Sequence, residues 1–196
     1  MNILITGFNG FLGKNLYFFL KKKKLKLFGI GRQDRNVIKT YKSKKFINTK
    51  NKSVTIKNIK NFNTKFSVII HCAGSGQVYL SKKKHNRDNL KATKSLLNYV
   101  KKYDKFCRIV IISSISVFGH QKKSINSTSK INPISYYAKS KLGVEIMCEN
   151  YSKKYNLNII ILRISSLYGN GMTIQFIYDS LKKIYSNNNL FHGAGD

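Results

Sequence analysis

The run NILITGFNGFLG, residues 2–13, decides the fold. Asn2 to Thr6 is a short apolar strand pattern, and Gly7, Gly10 and Gly13 follow it before an apolar helix pattern through Leu16, Phe19 and Leu20. Strand, glycine turn and helix in that order form the context in which a backbone closes on a dinucleotide. Glycines allow a tight turn and a close approach to a pyrophosphate, and the free N–H groups and dipole at a helix N-terminus favour the anion there. Gly7, Gly10, Phe11, Leu12 and Gly13 are therefore candidate cofactor-binding residues, against the alternative of a plain turn.

Outward from this unit, strand-like and helix-like stretches alternate. A second strand is expected over Leu25 to Ile30 and runs into GIGRQDR. Folds that bind NAD commonly carry an acid here for the ribose hydroxyls. Arg32 instead offers a guanidinium that can pair with a 2′-phosphate, so NADP is preferred over NAD, with Asp34 keeping NAD as the alternative. Residues 36–63 are polar and rich in Lys and Asn, with one apolar alternation from Val54 to Ile59. FSVIIHCAG, residues 66–74, is a β-rich run ending in small residues. A helix follows over HNRDNLKATKSLLNYV, then a buried strand from Phe106 to Ser113 and another from Leu157 to Ile164. Alternating strands and helices predict an α/β fold, a doubly wound parallel sheet of the Rossmann kind, with ligand across the strand carboxyl ends.

Chemistry centres on PISYYAKSKLGVE, residues 133–145, where Tyr137 and Lys141 stand four apart. On a helix that spacing puts a phenol and an ammonium on one face. A cation about 4 Å from the phenol, at an effective dielectric of roughly 20, would favour the phenolate by about 4 kcal/mol. That would bring a phenol of pKa about 10 towards neutrality, where a general base works best. The competing reading is a buried edge and a solvated face on a Lys-rich helix. Tyr136 is excluded as the partner because Ser140 lies four residues on from it.

TGFNGFLG, SSISVFG and YYAKSK together resemble the extended short-chain dehydrogenase/reductase family, the NAD(P)-dependent epimerase/dehydratase group that acts mostly on nucleotide sugars. The resemblance implies Ser114, Tyr137 and Lys141 as catalytic residues: Tyr137 as proton acceptor or donor at the sugar oxygen, Lys141 as its cationic partner, Ser114 as hydrogen-bond donor. Ser113 and Ser116 compete with Ser114 for that role. It also implies that Cys72, Ala73 and Gly74 pass close to the cofactor, that Asn89 holds active-site backbone, and that Arg163, in LRISSLYGNG, lies near the substrate with Tyr168 and Gly169. By analogy residues 36–63 carry a short third strand, and Asn58 and Ile59 match a position beside the adenine where the family more often has Asp-Leu. His71 is read as structural. Dehydratases of this family carry Thr-Asp-Glu where this sequence has Ser114, Ile115 and Ser116, so elimination of water lacks its acid and base.

The resemblance implies domain limits of 1–170 for the dinucleotide-binding domain and 171–196 for the start of a substrate-binding lobe that is largely absent. A last amphipathic helix with Ile174, Ile177, Leu181 and Ile184 would then expose apolar surface, which predicts a homodimer. The implied activity is nucleotide-sugar epimerisation. The alternatives are NADPH-dependent reduction of a ketosugar and a non-catalytic dinucleotide-binding module.

Composition bounds the remaining classes. The formal net charge is +30, from 37 Lys and Arg against 7 Asp and Glu, which ordinarily points to nucleic acid. Here the basic residues are spread along the chain and follow an AT-rich coding bias, without a recognition helix or aromatic stacking motif, so nucleic acid is not the expected partner. The field does favour capture of anionic nucleotides. The 3 cysteines have no metal-ligand spacing and read as buried free thiols, so no metal is expected. No apolar run reaches membrane-spanning length and no signal peptide is visible, so the expected location is cytoplasmic.

Overall fold

The computed structural model describes residues 1–23, 25–32, 46–48, 54–122, 124–172 and 176–186. Its elements are β1 (Asn2–Thr6), α1 (Phe11–Lys21), β2 (Lys26–Gly31), β3 (Phe46–Asn48), α2 (Ile56–Lys60), β4 (Val68–His71), α3 (Lys82–His85), a π-helical segment (Asn86–Lys91), α4 (Ala92–Tyr103), β5 (Arg108–Ser114), a 3₁₀ turn (Ile115–Phe118), α5 (Tyr136–Tyr155), β6 (Ile159–Ile164) and α6 (Phe176–Tyr185). The six strands lie in the order β3-β2-β1-β4-β5-β6, and every pairing is parallel. This is the doubly wound parallel sheet that the sequence predicts. Residues Met1–Ser165 form one compact unit and residues Ser166–Asp196 a second.

Both faces of a parallel sheet must be covered, and the side-chain alternation along β1 shows how. Ile3 and Ile5 pack on one face with Phe8, Tyr17 and Leu27, beneath α1. Leu4 packs on the other with Ile69, Ile109, Ile111, Leu96, Leu97, Val144 and Cys148, beneath α4 and α5. Leu4, Ile5, Ile69 and Ile109 are wholly buried, each worth about 1.5–3 kcal/mol. Strands and helices therefore hold one another, and the parallel register brings the ends of β1, β2, β4 and β5 to one edge.

The third strand falls within the expected 36–63 stretch but not at its apolar alternation. It lies at Phe46–Asn48, paired with Gly29 to Gly31, whereas Ile56–Lys60 is the helix α2. Thr55 caps it: its hydroxyl accepts from the Asn58 N–H at 3.3 Å while Asn58 Oδ1 accepts from the Thr55 N–H at 3.2 Å. That reciprocal box satisfies two donors that a strand would leave to a neighbour. Ile56 and Ile59, three apart, both join the core, so the apolar spacing is helical. The Asn58 side chain expected near an adenine is used in this cap. The helix expected over residues 85–100 is interrupted by the π-helical segment, and Asp34 and Ile174 lie outside the described residues.

Candidate active site

The glycine turn is built by the absence of side chains. Gly7 has φ +69°, and a Cβ there would meet the Ala73 nitrogen at 2.6 Å, so only glycine lets the turn after β1 lie against the backbone leaving β4. A Cβ on Gly13 would strike the Gly7 carbonyl oxygen. The Gly10 N–H donates to Gly7 O at 2.9 Å, and Gly10 caps α1 without a side-chain acceptor. The first-turn N–H groups at Phe11, Leu12 and Gly13 thus face no capping oxygen from their own N-cap. No acid stands in this turn to repel an anion. A backbone cradle that a Cβ would fill, open at a helix N-terminus, fits a dinucleotide pyrophosphate.

The end of β4 closes the other side. The Cys72 N–H donates to Thr6 O at 3.1 Å and the Ala73 N–H to Thr6 Oγ1 at 3.3 Å. His71 is fully used structurally, with Nδ1 2.7 Å from Thr6 Oγ1 and Nε2 3.1 Å from Thr93 Oγ1. Because Thr93 Oγ1 donates to Asn89 O at 2.7 Å, it accepts from His71 Nε2–H, and Nδ1 accepts from Thr6. Burial, then the Lys141 cation, holds the His71 imidazole neutral, down to about 3. Burial pushes the Cys72 thiol up to about 12. Gly74 lets this loop pass Asn89, since a Cβ there would meet Asn89 Oδ1 at 2.6 Å and Lys141 Nζ at 3.8 Å.

Asn89, buried in the π-helical segment, organises the backbone around it. Its Oδ1 accepts from the Ser75 N–H at 2.8 Å, and its Nδ2 donates to Ser140 Oγ at 2.8 Å. Ser140 in turn donates to the Tyr137 carbonyl at 2.7 Å. The loop after β4 and the first turn of α5 are thereby tied through one amide. A π turn often appears where a helix must aim a side chain inward. His85, wholly buried, sets its ring 5.8 Å from that of Tyr137.

Ser135 caps α5, accepting from the Ala138 N–H at 3.1 Å, which fixes where the helix begins and hence which face carries Tyr137 and Lys141. Lys141 Nζ is 5.9 Å from the Tyr137 ring centroid and donates to Ile112 O at 2.8 Å. The expectation of a phenol lowered towards neutrality is not met in this geometry. Burial raises the Tyr137 phenol above its ordinary value, and the Ser114 hydroxyl beside it only partly opposes this. Burial also lowers the Lys141 ammonium to about 8, against the pull of the Cys72 and Glu145 side chains. Ser114 Oγ donates to Ser116 Oγ at 2.9 Å and accepts from the Ser116 N–H at 3.1 Å, which links two of the three candidate hydroxyls. Ser113 points elsewhere, donating to Glu145 Oε1.

Two predicted binding cations have partners. Arg32 Nη1 lies 3.1 Å from Asp88 Oδ2, with the Arg32 side chain 42% exposed. Asp88 also accepts from Ser75 Oγ at 2.5 Å and from Arg87 Nε at 2.7 Å. Burial raises this carboxyl, but the bonds from Arg87 and Ser75 and the Arg32 cation outweigh it and hold it down at about 2. Arg163 grips Glu145 with Nη2 at 2.8 Å from Oε2. Glu145, Asp88, Ser75 and Ser140 hold the candidate residues by hydrogen bonds and ion pairs that the sequence reading did not single out. The available signal was acid scarcity: in a chain with 7 acids, one placed on the apolar side of a helix needs a buried partner.

Residues 3–191 match the model of the NAD dependent epimerase/dehydratase family. The chain belongs to that family. Its relatives include the UDP-glucuronate 4-epimerase of Thermodesulfobacterium geofontis, 28% identical over 198 residues, 93% of this chain and 61% of the relative. A dTDP-D-glucose 4,6-dehydratase of Dictyostelium discoideum is 28% identical over 219 residues, 98% of this chain and 50% of the relative. The crystal structure of UDP-glucuronic acid 4-epimerase from Bacillus cereus in complex with NAD superposes with a TM-score of 0.82 at 22% identity, over 95% of this chain and 64% of that one. The chain thus spans between half and two thirds of the length of these relatives. Among the described residues no helix is long and apolar enough to cross a membrane.

Proposed function

We propose that this chain carries the cofactor-binding and proton-transfer residues of a nucleotide-sugar epimerase, with Ser114, Tyr137 and Lys141 as its catalytic set. The supporting observation is the meeting of the Gly7 to Gly13 cradle, the Cys72 to Gly74 loop and the Tyr137-Lys141 pair around the carboxyl edge of one parallel sheet. A nicotinamide dinucleotide, when bound, supplies the acceptor and donor of a hydride at a sugar carbon. Tyr137 takes the proton from the sugar hydroxyl as the carbon is oxidised and returns it when the hydride comes back. Since burial raises the free phenol, Tyr137 is set as a proton donor, and its action as a base needs the neighbouring Lys141 cation. Ser114 holds the same sugar oxygen in line. Gly7, Gly10, Phe11, Leu12, Gly13 and the Cys72 to Gly74 backbone bind the dinucleotide, and the absence of an acid pair beside Ser114 favours epimerisation over dehydration.

A second reading, NADPH-dependent reduction of a ketosugar, is favoured by Arg32, a half-exposed cation following β2, where a 2′-phosphate would exchange with Asp88. The two separate on incubation with UDP-glucuronate or UDP-glucose and NAD and, in parallel, with a ketosugar nucleotide and NADPH. Epimerisation yields an isomeric sugar nucleotide with no net change in the reduced-nicotinamide absorbance, whereas reduction of a ketosugar nucleotide consumes it. Tyr137→Phe is expected to lower turnover about 10²- to 10⁴-fold while dinucleotide binding persists. Turnover retained in that variant would remove Tyr137 from the mechanism.

A further inference from the structure

β5 and α5 meet through an ordered set of contacts. Tyr137, Lys141 and Glu145 stand at intervals of four along α5, on one stripe of the helix. Facing them are three consecutive residues at the end of β5. The Ile112 carbonyl accepts from Lys141 Nζ at 2.8 Å, the Ser113 hydroxyl donates to Glu145 Oε1, and the Ser114 hydroxyl serves Tyr137. Glu145 is 1% exposed and is met from β6 by Arg163, which is in register with Ser113. Arg163 Nε lies 3.1 and 3.2 Å from the two carboxylate oxygens and Nη2 lies 2.8 Å from Oε2, while its guanidinium covers the Phe118 ring at 4.9 Å. A buried carboxylate thus sits one helical turn from Lys141, with a counter-cation on its other side.

We propose that Glu145 is a positioning residue for the Tyr137-Lys141 pair, keeping the Lys141 ammonium charged while Arg163 sets how much of the carboxylate's field reaches it. The proposal rests on the reading of Tyr137 and Lys141 given above and adds the source of the charge that this reading requires. Lys141 is withdrawn from water, which disfavours its charged form, and the Cys72 and Glu145 side chains act against that, Glu145 being the one of the two that is a carboxylate. The other titratable groups near Lys141 are His71, the last residue of β4, and Cys72 just after it, both uncharged at neutral pH, and the phenol of Tyr137 on α5. Glu145 therefore supplies the compensating charge from α5, and Arg163 is the second cation, arriving from β6. Ser113, placed between Ile112 and Ser114, couples this ion pair to the strand end that carries both other contacts.

A purely structural ion pair and an electrostatic one differ in what removing each member does to Lys141. Loss of Glu145 leaves Arg163 as an unopposed cation and should lower the Lys141 titration midpoint. Loss of Arg163 leaves the carboxylate unopposed and should raise it. The test is an NMR titration of the Lys141 side-chain resonance, assigned by its disappearance in Lys141→Arg, in the full chain without cofactor. The wild-type midpoint is expected near the value of about 8. Glu145→Gln should shift it down by about one to two pH units and Arg163→Gln up by a similar amount, with Glu145→Gln/Arg163→Gln within about half a unit of wild type. Folded single variants that titrate with the wild type, or that shift in the same direction, would overturn the proposal. If Glu145→Gln does not fold, Arg163→Gln decides alone, and an unmoved or lowered midpoint sinks the idea. Because no cofactor is needed, failure of the chain to bind a dinucleotide counts against the proposed function and is read separately from the midpoint.

Discussion

Gly7→Ala is the sharpest single perturbation of the cofactor cradle. The residue has φ +69°, a region that costs an L side chain roughly 1–2 kcal/mol. Its new Cβ would also lie 2.6 Å from the Ala73 nitrogen, 2.7 Å from Ala73 Cα and 2.7 Å from the Cys72 carbonyl carbon. All three are backbone atoms at the end of a central strand, so no side chain can swing away. Forcing that contact open adds about 1–3 kcal/mol of overpacking strain, for an expected total of about 2–5 kcal/mol. The assay is urea unfolding followed by circular dichroism, with the midpoint lowered at unchanged slope. Gly76→Ala is the control, because a Cβ there meets nothing within 4 Å, and its change should stay within about 0.5 kcal/mol. A Gly7→Ala midpoint indistinguishable from that of Gly76→Ala would refute the claim that the turn after β1 lies against the backbone leaving β4.

Other outcomes follow from the same geometry. Removing Glu145 alone, as Glu145→Leu, should cost about 3–5 kcal/mol because it strands the Arg163 guanidinium, whereas Glu145→Leu/Arg163→Met should recover most of that, read in a double-mutant cycle with Arg163→Met. His71 titrates at about 3 in the folded chain, below its unfolded value, so the unfolded state binds the extra proton between these limits and stability is lost as pH falls below about 6.5. His71 contributes up to about 1.4 kcal/mol per pH unit in that window, and a folded His71→Gln variant should show a correspondingly flatter stability profile between pH about 4 and 6. Asp88 is held at about 2 in the folded chain, so its contribution is present above its unfolded value and fades as pH falls towards 2; unfolding of Asp88→Asn should lack that acid-limb dependence. Arg32→Ala should weaken NADP by about tenfold or more while leaving NAD within about twofold, since only a 2′-phosphate uses the guanidinium.

Legibility followed how local each signal is. The turn at Gly7, Gly10 and Gly13 could be read because a positive φ and close backbone contacts exclude other residues, and that restriction is written in the residue type itself. The parallel α/β arrangement could be read because apolar strand runs alternate with helices along the chain. The third strand could be placed only to the 36–63 stretch: its apolar alternation, Val54 to Ile59, mixes spacings of two and three residues, and the Thr55 cap decides there in favour of a helix. The spacing of Tyr137 and Lys141 correctly places them on one helix face, yet it says nothing of the Ile112 carbonyl, which comes from 29 residues away in the chain and takes the Lys141 ammonium. The same holds for Arg32 and Arg163. Each was legible as a cation at a strand end, but its partner, Asp88 or Glu145, lies on a helix distant in sequence.

The central claim, that the Gly7 to Gly13 cradle and Lys141 form one dinucleotide site, is tested most directly by calorimetric titration of the chain with NAD and with NADP, repeated on Lys141→Ala. The account predicts saturable one-to-one binding of at least one dinucleotide with Kd in the micromolar range, weakened about tenfold or more in a folded Lys141→Ala variant. Absence of binding heat for both dinucleotides across several temperatures, or equal affinity in wild type and Lys141→Ala, would contradict it.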